Sequence, residues 1–122
     1  MSNRGSNRGW TTIEEEKYLS RHNLSGRVAV IDCVTLWLAN WLTAEDSDIN
    51  EVLAAAKAEF DRFTACDATF IFVTNEIGLG GVSANALQRR FTDLQGWMNQ
   101  YIADRADEVI LMVSGIPVKI KP

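Results

Sequence analysis

The chain has 122 residues, 47% hydrophobic and 23% charged, with a net charge of −4. This length suits one domain, which buries roughly two thirds of its unfolded surface. No apolar run approaches the ~20 residues that cross a bilayer, and residues 1–9 lack the apolar core of a secretory signal. We therefore expect a cytoplasmic protein with no membrane span, and the acidic balance argues against a broad nucleic-acid-binding surface.

The first nine residues are rich in Ser, Asn, Arg and Gly, so we expect a flexible segment (1–9) followed by a domain (10–122). Thr12 and Glu15 have the spacing of a capping box, which predicts a short helix over residues 13–20. Residues 28–32 form an apolar run that ends in Asp32, typical of a central parallel strand covered on both faces. Further along, periodicity and caps predict helices over 36–42, 49–65 and 85–103, and strands over 69–74, 108–114 and 118–120.

Strands that alternate with helices of this length indicate βα units and a mainly parallel sheet, in which ligands bind at the carboxyl ends of the strands. Asp32 lies at one such end. A carboxylate there can hold Mg²⁺ directly or through water beside phosphates. The alternative is that Asp32 only caps the following helix.

The polar, glycine-punctuated segment 73–80, Val-Thr-Asn-Glu-Ile-Gly-Leu-Gly, leaves the next strand at the same edge. Asn75 offers donor and acceptor groups, and Glu76 an acceptor or a base. Gly78 and Gly80 permit close approach of the backbone to a ligand. The alternative is a tight connection in which Asn and Gly only shape a turn.

Several segments, in order along the chain, resemble one family, the bifunctional adenosylcobinamide kinase / adenosylcobinamide-phosphate guanylyltransferase of cobalamin biosynthesis. The matching segments are residues 10–14 (Trp-Thr-Thr-Ile-Glu), 30–40, 73–80, 85–94 and 106–119. The resemblance implies a three-layer P-loop NTPase fold of the RecA-like type, assembled as a homo-oligomer. It also implies two reactions: phosphorylation of adenosylcobinamide by ATP or GTP, then GMP transfer from GTP through a guanylyl-histidine to give adenosylcobinamide-GDP.

The resemblance also suggests roles for individual residues. Glu14 matches a family glutamate that contacts the guanine nucleotide, although a run of three glutamates is more simply a solvated face. Arg89 and Arg90 can bind a triphosphate or corrinoid phosphate, but one of two adjacent helical arginines usually faces solvent. The predicted nucleotide site is Glu14 and Asp32, with Asp32 as the Mg²⁺ ligand. The predicted substrate or phosphate-positioning residues are Asn75, Glu76, Gly78, Gly80, Asn85, Arg89 and Arg90.

Two parts of the family's machinery do not occur in these 122 residues. There is no G-x-x-x-x-G-K-[ST] phosphate loop, and the single histidine, His22, does not match the guanylylated one. Ser83 and Ala84 also stand where the family commonly has Pro-Glu. We therefore expect an N-terminally truncated portion that is inactive alone. The alternative is a non-catalytic remnant that oligomerises or binds corrinoid or nucleotide.

Two other residue types have simple interpretations. Trp37, Trp41 and Trp97 could stack on a base or a corrin ring, but their helical positions favour core or interface packing. Cys33 and Cys66 lack metal-ligand spacing and are expected to be free thiols.

Overall fold

The computed structural model describes residues 12–42, 48–75 and 86–121. After a 3₁₀ turn at Leu19–Arg21, the described residues form three helices and four strands. In chain order these are β1 (Val28–Asp32), α1 (Val34–Trp41), α2 (Ile49–Phe63), β2 (Thr69–Val73), α3 (Ala86–Arg105), β3 (Val109–Val113) and β4 (Ile116–Lys121).

Strands β1 and β2 pair in parallel, with Val28 opposite Thr69 and Asp32 opposite Val73. The helical connection between them makes this arrangement possible, since parallel strands need a long crossover. Both carboxyl ends therefore lie at the same edge of the sheet, as the sequence predicts.

One face of this sheet packs on α2 through aromatic rings. The ring centroids of Phe63 and Phe70 lie 4.8 Å apart, and those of Phe60 and Phe72 lie 5.0 Å apart. Helix α2 begins where predicted because the Asp48 carboxylate accepts a hydrogen bond from the Asn50 N–H. Among the residues whose burial is described, the buried hydrophobic ones are Leu19, Ile31, Val34, Trp37, Leu38, Ala56, Phe60, Phe63, Leu94, Met98 and Ile102.

The other face of the β1–β2 sheet is exposed, which corrects the prediction of a strand covered on both faces. Val28 is 58% exposed and Ile71 48%, and Val30 and Val73 are each 41% exposed. Parallel sheets normally have both faces covered. Among the described residues, only one face of this sheet is covered.

The C-terminal strands form a hairpin instead of extending the parallel sheet. Strands β3 and β4 pair antiparallel through a two-residue turn, Ser114 and Gly115, both with positive φ. Such turns match the twist of hairpin strands, and glycine adopts this conformation easily. The described residues therefore contain two two-stranded sheets, one parallel and one antiparallel, so the expected mainly parallel sheet is confirmed only for β1 and β2.

The predicted helix over residues 13–20 is wrong. Residues 12–18 are irregular, and only Leu19–Arg21 makes a helical turn. The Glu15 carboxylate bonds forward, accepting from the backbone N–H groups of Lys17 and Tyr18 at 3.3 and 3.2 Å. These bonds take the place of a capping box, in which the glutamate reaches back to the N-cap.

Helices α1 and α3 are close to their predicted positions, and α1 begins two residues earlier than expected. In the described part of the chain, no helix is long and apolar enough to cross a membrane.

Candidate functional site

The carboxyl ends of β1 and β2 form the centre of the candidate site. Asp32 ends β1 opposite Val73, and Thr74 and Asn75 continue from β2 at the same edge. Asp32 is partly buried, whereas Thr74 and Asn75 are exposed. The parallel register therefore brings a carboxylate, a hydroxyl and an amide to one edge, and we call this set of three residues the carboxyl edge.

The N-cap position of α1 does not fall on Asp32. Cys33 occupies the N-cap position of α1, without a side-chain capping bond. Asp32 is thus one residue outside the capping position. In the first turn of α1, the buried Thr35 Oγ1 has no hydrogen-bond partner in the described part of the chain.

Helix α3 contributes two amide side chains to this edge that the sequence analysis did not identify. Gln95 Nε2 donates to Thr74 Oγ1 at 2.7 Å and to Asn99 Oδ1 at 3.0 Å. The Thr74 hydroxyl donates to Asn99 Oδ1 at 2.8 Å, and Asn99 Nδ2 donates to the Asn75 carbonyl at 3.0 Å. The available signal was the i, i+4 spacing of two amides beside the apolar stripe, which places them on one helix face.

The segment that carries Glu14 is tied to α1 and α2 by polar contacts. Trp37 Nε1 donates to the Lys17 carbonyl at 2.8 Å, and Glu59 Oε2 accepts from the Ser20 N–H at 2.6 Å. Glu14 itself is exposed. Its exposure fits both the predicted nucleotide contact and a solvated position.

Glu15, next to the predicted residue, is the glutamate whose carboxylate is held in place. Its Oε1 lies 3.1 Å from His22 Nε2. Burial acts to raise the pKa of Glu15, but hydrogen bonds from His22, Tyr18 and Lys17 and the charge of Arg21 outweigh it, so the pKa is lowered. His22 is engaged in holding this turn, and nothing in its contacts connects it with the carboxyl edge.

The remaining predicted site residues are only partly described. Arg89 is exposed and Arg90 partly buried near the start of α3, so the adjacent arginines differ in their access to solvent. Glu76, Gly78, Gly80 and Asn85 lie outside the described residues, as do Ser83 and Ala84. The strand register places Asn75 two residues beyond Val73, which is opposite Asp32, and the roles of all these residues remain predictions.

Two of the described tryptophans, Trp37 and Trp41, serve as packing residues. Trp37 is buried in the core, and its ring meets that of Trp41 edge-on at 6.3 Å. Lys17 Nζ lies 4.6 Å from the centroid of Trp41, a cation–π contact. Trp97 is 43% exposed and lines a surface groove between α2 and α3 with Tyr101. Packing thus accounts for Trp37 and Trp41.

Within residues 12–42, 48–75 and 86–121, no three His, Cys, Asp or Glu side chains group together as a metal site. Both cysteines are free, as expected. Among the described residues, Asp32 is the carboxylate at the carboxyl edge.

Comparison with known proteins gives one consistent family. The chain is 35% identical over 116 residues to the bifunctional adenosylcobalamin biosynthesis protein CobP of Pseudomonas aeruginosa. This match covers 92% of this chain and 66% of that protein. Its identity with the CobU proteins is 35% for Escherichia coli and 40% for Salmonella typhimurium. These matches cover 70% and 57% of the two relatives, and 92% and 75% of this chain.

The chain thus spans about two thirds of the length of the curated relatives it matches. Residues 2–120 match the family described as cobinamide kinase / cobinamide phosphate guanyltransferase. The resemblance found in the sequence motifs is confirmed, and the chain belongs to this family.

Proposed function

We propose that this chain forms the corrinoid- and nucleotide-binding part of an enzyme of cobalamin biosynthesis. The enzyme phosphorylates adenosylcobinamide with ATP or GTP, then transfers GMP from GTP to adenosylcobinamide phosphate. The observation that carries this proposal is the register of β1 and β2, which sets Asp32 opposite Val73, the residue that precedes Thr74 and Asn75, in a chain of this family. Ligands of open parallel sheets bind at such an edge.

In both reactions the protein must position the reacting groups and stabilise charge on the phosphates. In the first, the adenosylcobinamide hydroxyl oxygen bonds to the γ-phosphorus, the bond to the bridging oxygen breaks, and a nucleoside diphosphate leaves. The hydroxyl proton passes to a base, for which Glu76 is the candidate from the sequence. In the second, GMP is joined to the corrinoid phosphate and pyrophosphate is released. Catalysis of phosphoryl transfer consists mainly of positioning and charge stabilisation.

The donors at the carboxyl edge fit Mg²⁺. This ion prefers oxygen ligands, retains several waters and is commonly bound by one or two carboxylates together with substrate phosphates. Asp32 supplies a partly buried carboxylate, and Asn75 supplies a neutral amide oxygen at the same edge. When bound, Mg²⁺ neutralises charge on the phosphate oxygens. We propose Asp32 as the residue that holds it.

We further propose that the complete enzyme is a P-loop NTPase whose phosphate loop and guanylylated histidine lie in polypeptide outside these 122 residues. Three observations support this. The sequence has no phosphate-loop motif, the relatives are longer than the matched region, and the outer face of the β1–β2 sheet is apolar and exposed. The predicted homo-oligomer would also cover apolar surface. Light scattering, which gives the molar mass of the assembly, would test whether this oligomer forms.

The alternative expected from the sequence is a non-catalytic protein that binds corrinoid or nucleotide. The DNA upstream of Met1 distinguishes the two. A phosphate loop and a histidine in frame would support the enzyme, whereas in-frame stop codons would support the non-catalytic protein. For the chain alone, incubation with α-labelled GTP is expected to give no labelled protein band.

Equilibrium dialysis against adenosylcobinamide tests the binding part of the proposal. We expect saturable retention of the corrinoid by the chain, weakened by about tenfold in Asn75→Ala, since one lost hydrogen bond is worth up to about 1.5 kcal/mol. Gln100→Ala, which removes an exposed amide from α3, is the matched control and is expected to bind normally. No retention by the unaltered chain, or equal weakening in both variants, would contradict the proposal.

A further inference from the structure

The end of β2 is held in place by side chains of α3. Beyond Val73 the strand ladder stops, so the backbone groups of Thr74 and Asn75 no longer have partners in β1. The Asn75 carbonyl instead accepts from Asn99 Nδ2 at 3.0 Å. The Thr74 hydroxyl both accepts from Gln95 and donates to Asn99. Three side-chain bonds thus continue the order of the strand into the carboxyl edge.

Gln95 is an unusual residue to find in this position. It is fully buried, and its neighbours on the buried side of α3 are the apolar residues Leu94 and Met98. Its amide donates to Thr74 and Asn99, but Oε1 has no hydrogen-bond partner in the described part of the chain.

The bonds that Gln95 does make all lead to the two residues at the end of β2, directly to Thr74 and through Asn99 to Asn75. The network therefore fixes the end of β2 at the sheet edge where β1 ends in Asp32.

We propose that Gln95 and Asn99 are positioning residues of the candidate site. They hold the Thr74 hydroxyl and the Asn75 backbone so that the exposed Asn75 side chain meets the corrinoid substrate at a fixed place beside Asp32. This inference rests on the proposed function for the identity of the ligand. Its structural part, an ordered β2 end that depends on α3, can be measured without a ligand.

Two substitutions separate positioning from simple packing. Asn99→Asp keeps the shape and the acceptor oxygens, but it removes the donor to the Asn75 carbonyl. Thr74→Val keeps the shape and removes the hydroxyl, and Thr74→Ser restores it. Gln100→Ala again serves as the control on the same helix. Thermal unfolding of each variant verifies that it is folded before it is compared.

The first readout is the NMR backbone order parameter at Thr74 and Asn75. We expect values of about 0.85 in the unaltered chain, falling below about 0.6 in Asn99→Asp and Thr74→Val. Values at Met98, in the core, should not change. The second readout is adenosylcobinamide affinity by dialysis, which should fall at least fivefold in these two variants and return in Thr74→Ser.

Unchanged order parameters in both variants would overturn the inference. Lost order at the β2 end with unchanged affinity would also overturn it, because the network would then position nothing that the substrate uses. If the unaltered chain retains no corrinoid, the proposed function fails instead. The positioning of the β2 end is then decided by the order parameters alone.

Discussion

Glu59 provides the sharpest test of how the N-terminal segment is held on the domain. Its side chain is 1% exposed, its Oε2 accepts from the Ser20 N–H at 2.6 Å, and its Oε1 accepts from Arg62 at 3.0 Å. In Glu59→Gln the shape is kept but one acceptor oxygen is lost. One of the two donors must then face the new NH₂ group, so either the bond from the Ser20 N–H or the ion pair with Arg62 is lost.

The expected cost follows from these contacts. A hydrogen bond to a charged group contributes about 1.5–3 kcal/mol, whereas the largely exposed Arg62 can regain hydration, so we expect a loss of about 2 kcal/mol. Unfolding entropy is about 2.1 cal/mol/K per residue, which gives roughly 0.26 kcal/mol/K for a chain of 122 residues. The melting temperature should therefore fall by about 8 °C.

Thermal unfolding followed by circular dichroism measures this change. Glu51→Gln, an exposed glutamate in the first turn of the same helix, is the control and should cost no more than about 0.5 kcal/mol. Limited proteolysis should cut Glu59→Gln faster within residues 12–27. A melting temperature within about 2 °C of the unaltered chain, or equal losses in the two variants, would refute the reasoning.

Three further substitutions test other contacts. Although burial raises the pKa of Glu15, its hydrogen bonds lower it below 4.5, so Glu15→Gln should cost about 1 kcal/mol near neutral pH. In urea unfolding, the difference in stability between the unaltered chain and Glu15→Gln should vanish as pH falls below 4.5 through the folded-state pKa. A difference that stays constant with pH would contradict this prediction. The hydrogen bond to Asp61, followed by burial, raises the pKa of Tyr101 above 10.0. Tyr101→Phe should therefore lower the free energy of unfolding by about 1 kcal/mol at pH 7. This difference should shrink as pH rises above 10.0, and a difference that grew would contradict the prediction. Lys121 donates to the carbonyls of Ala103 and Asp104 in the last turn of α3, so Lys121→Met should lower the free energy of unfolding in urea by about 1 kcal/mol. Lys119→Met is the control and should lower it by about 0.5 kcal/mol or less. Equal losses in the two variants would exclude the role of Lys121 at the helix end.

Local patterns predicted most of the elements. The apolar run at residues 28–32 and the helical period after Asp48 are properties of short stretches, and both elements form where expected. The helix predicted over residues 13–20 fails for a local reason as well. Glu15 bonds forward to Lys17 and Tyr18, and a spacing rule cannot tell this arrangement from a capping box.

The candidate site was only half predictable from the sequence. Asp32 and Asn75 were found because they end apolar strands, and parallel strands bring their carboxyl ends to one edge. Gln95 and Asn99 were missed because they stand in the middle of an amphipathic helix, where polar residues usually face solvent. Only their contacts with Thr74 and Asn75 distinguish them from surface residues.

The amino-acid sequence by itself determined the family and the order of strands and helices, because motifs and periodicity depend only on residues that are close together in the sequence. Tertiary structure decided which distant groups meet: Gln95 with Thr74, 21 positions away, and Glu59 with Ser20, 39 positions away. It also decided that β3 pairs with β4 and that the outer face of β1 and β2 is exposed among the described residues. Such pairings depend on how whole elements pack, since a buried polar group must find its partner wherever the fold brings one near.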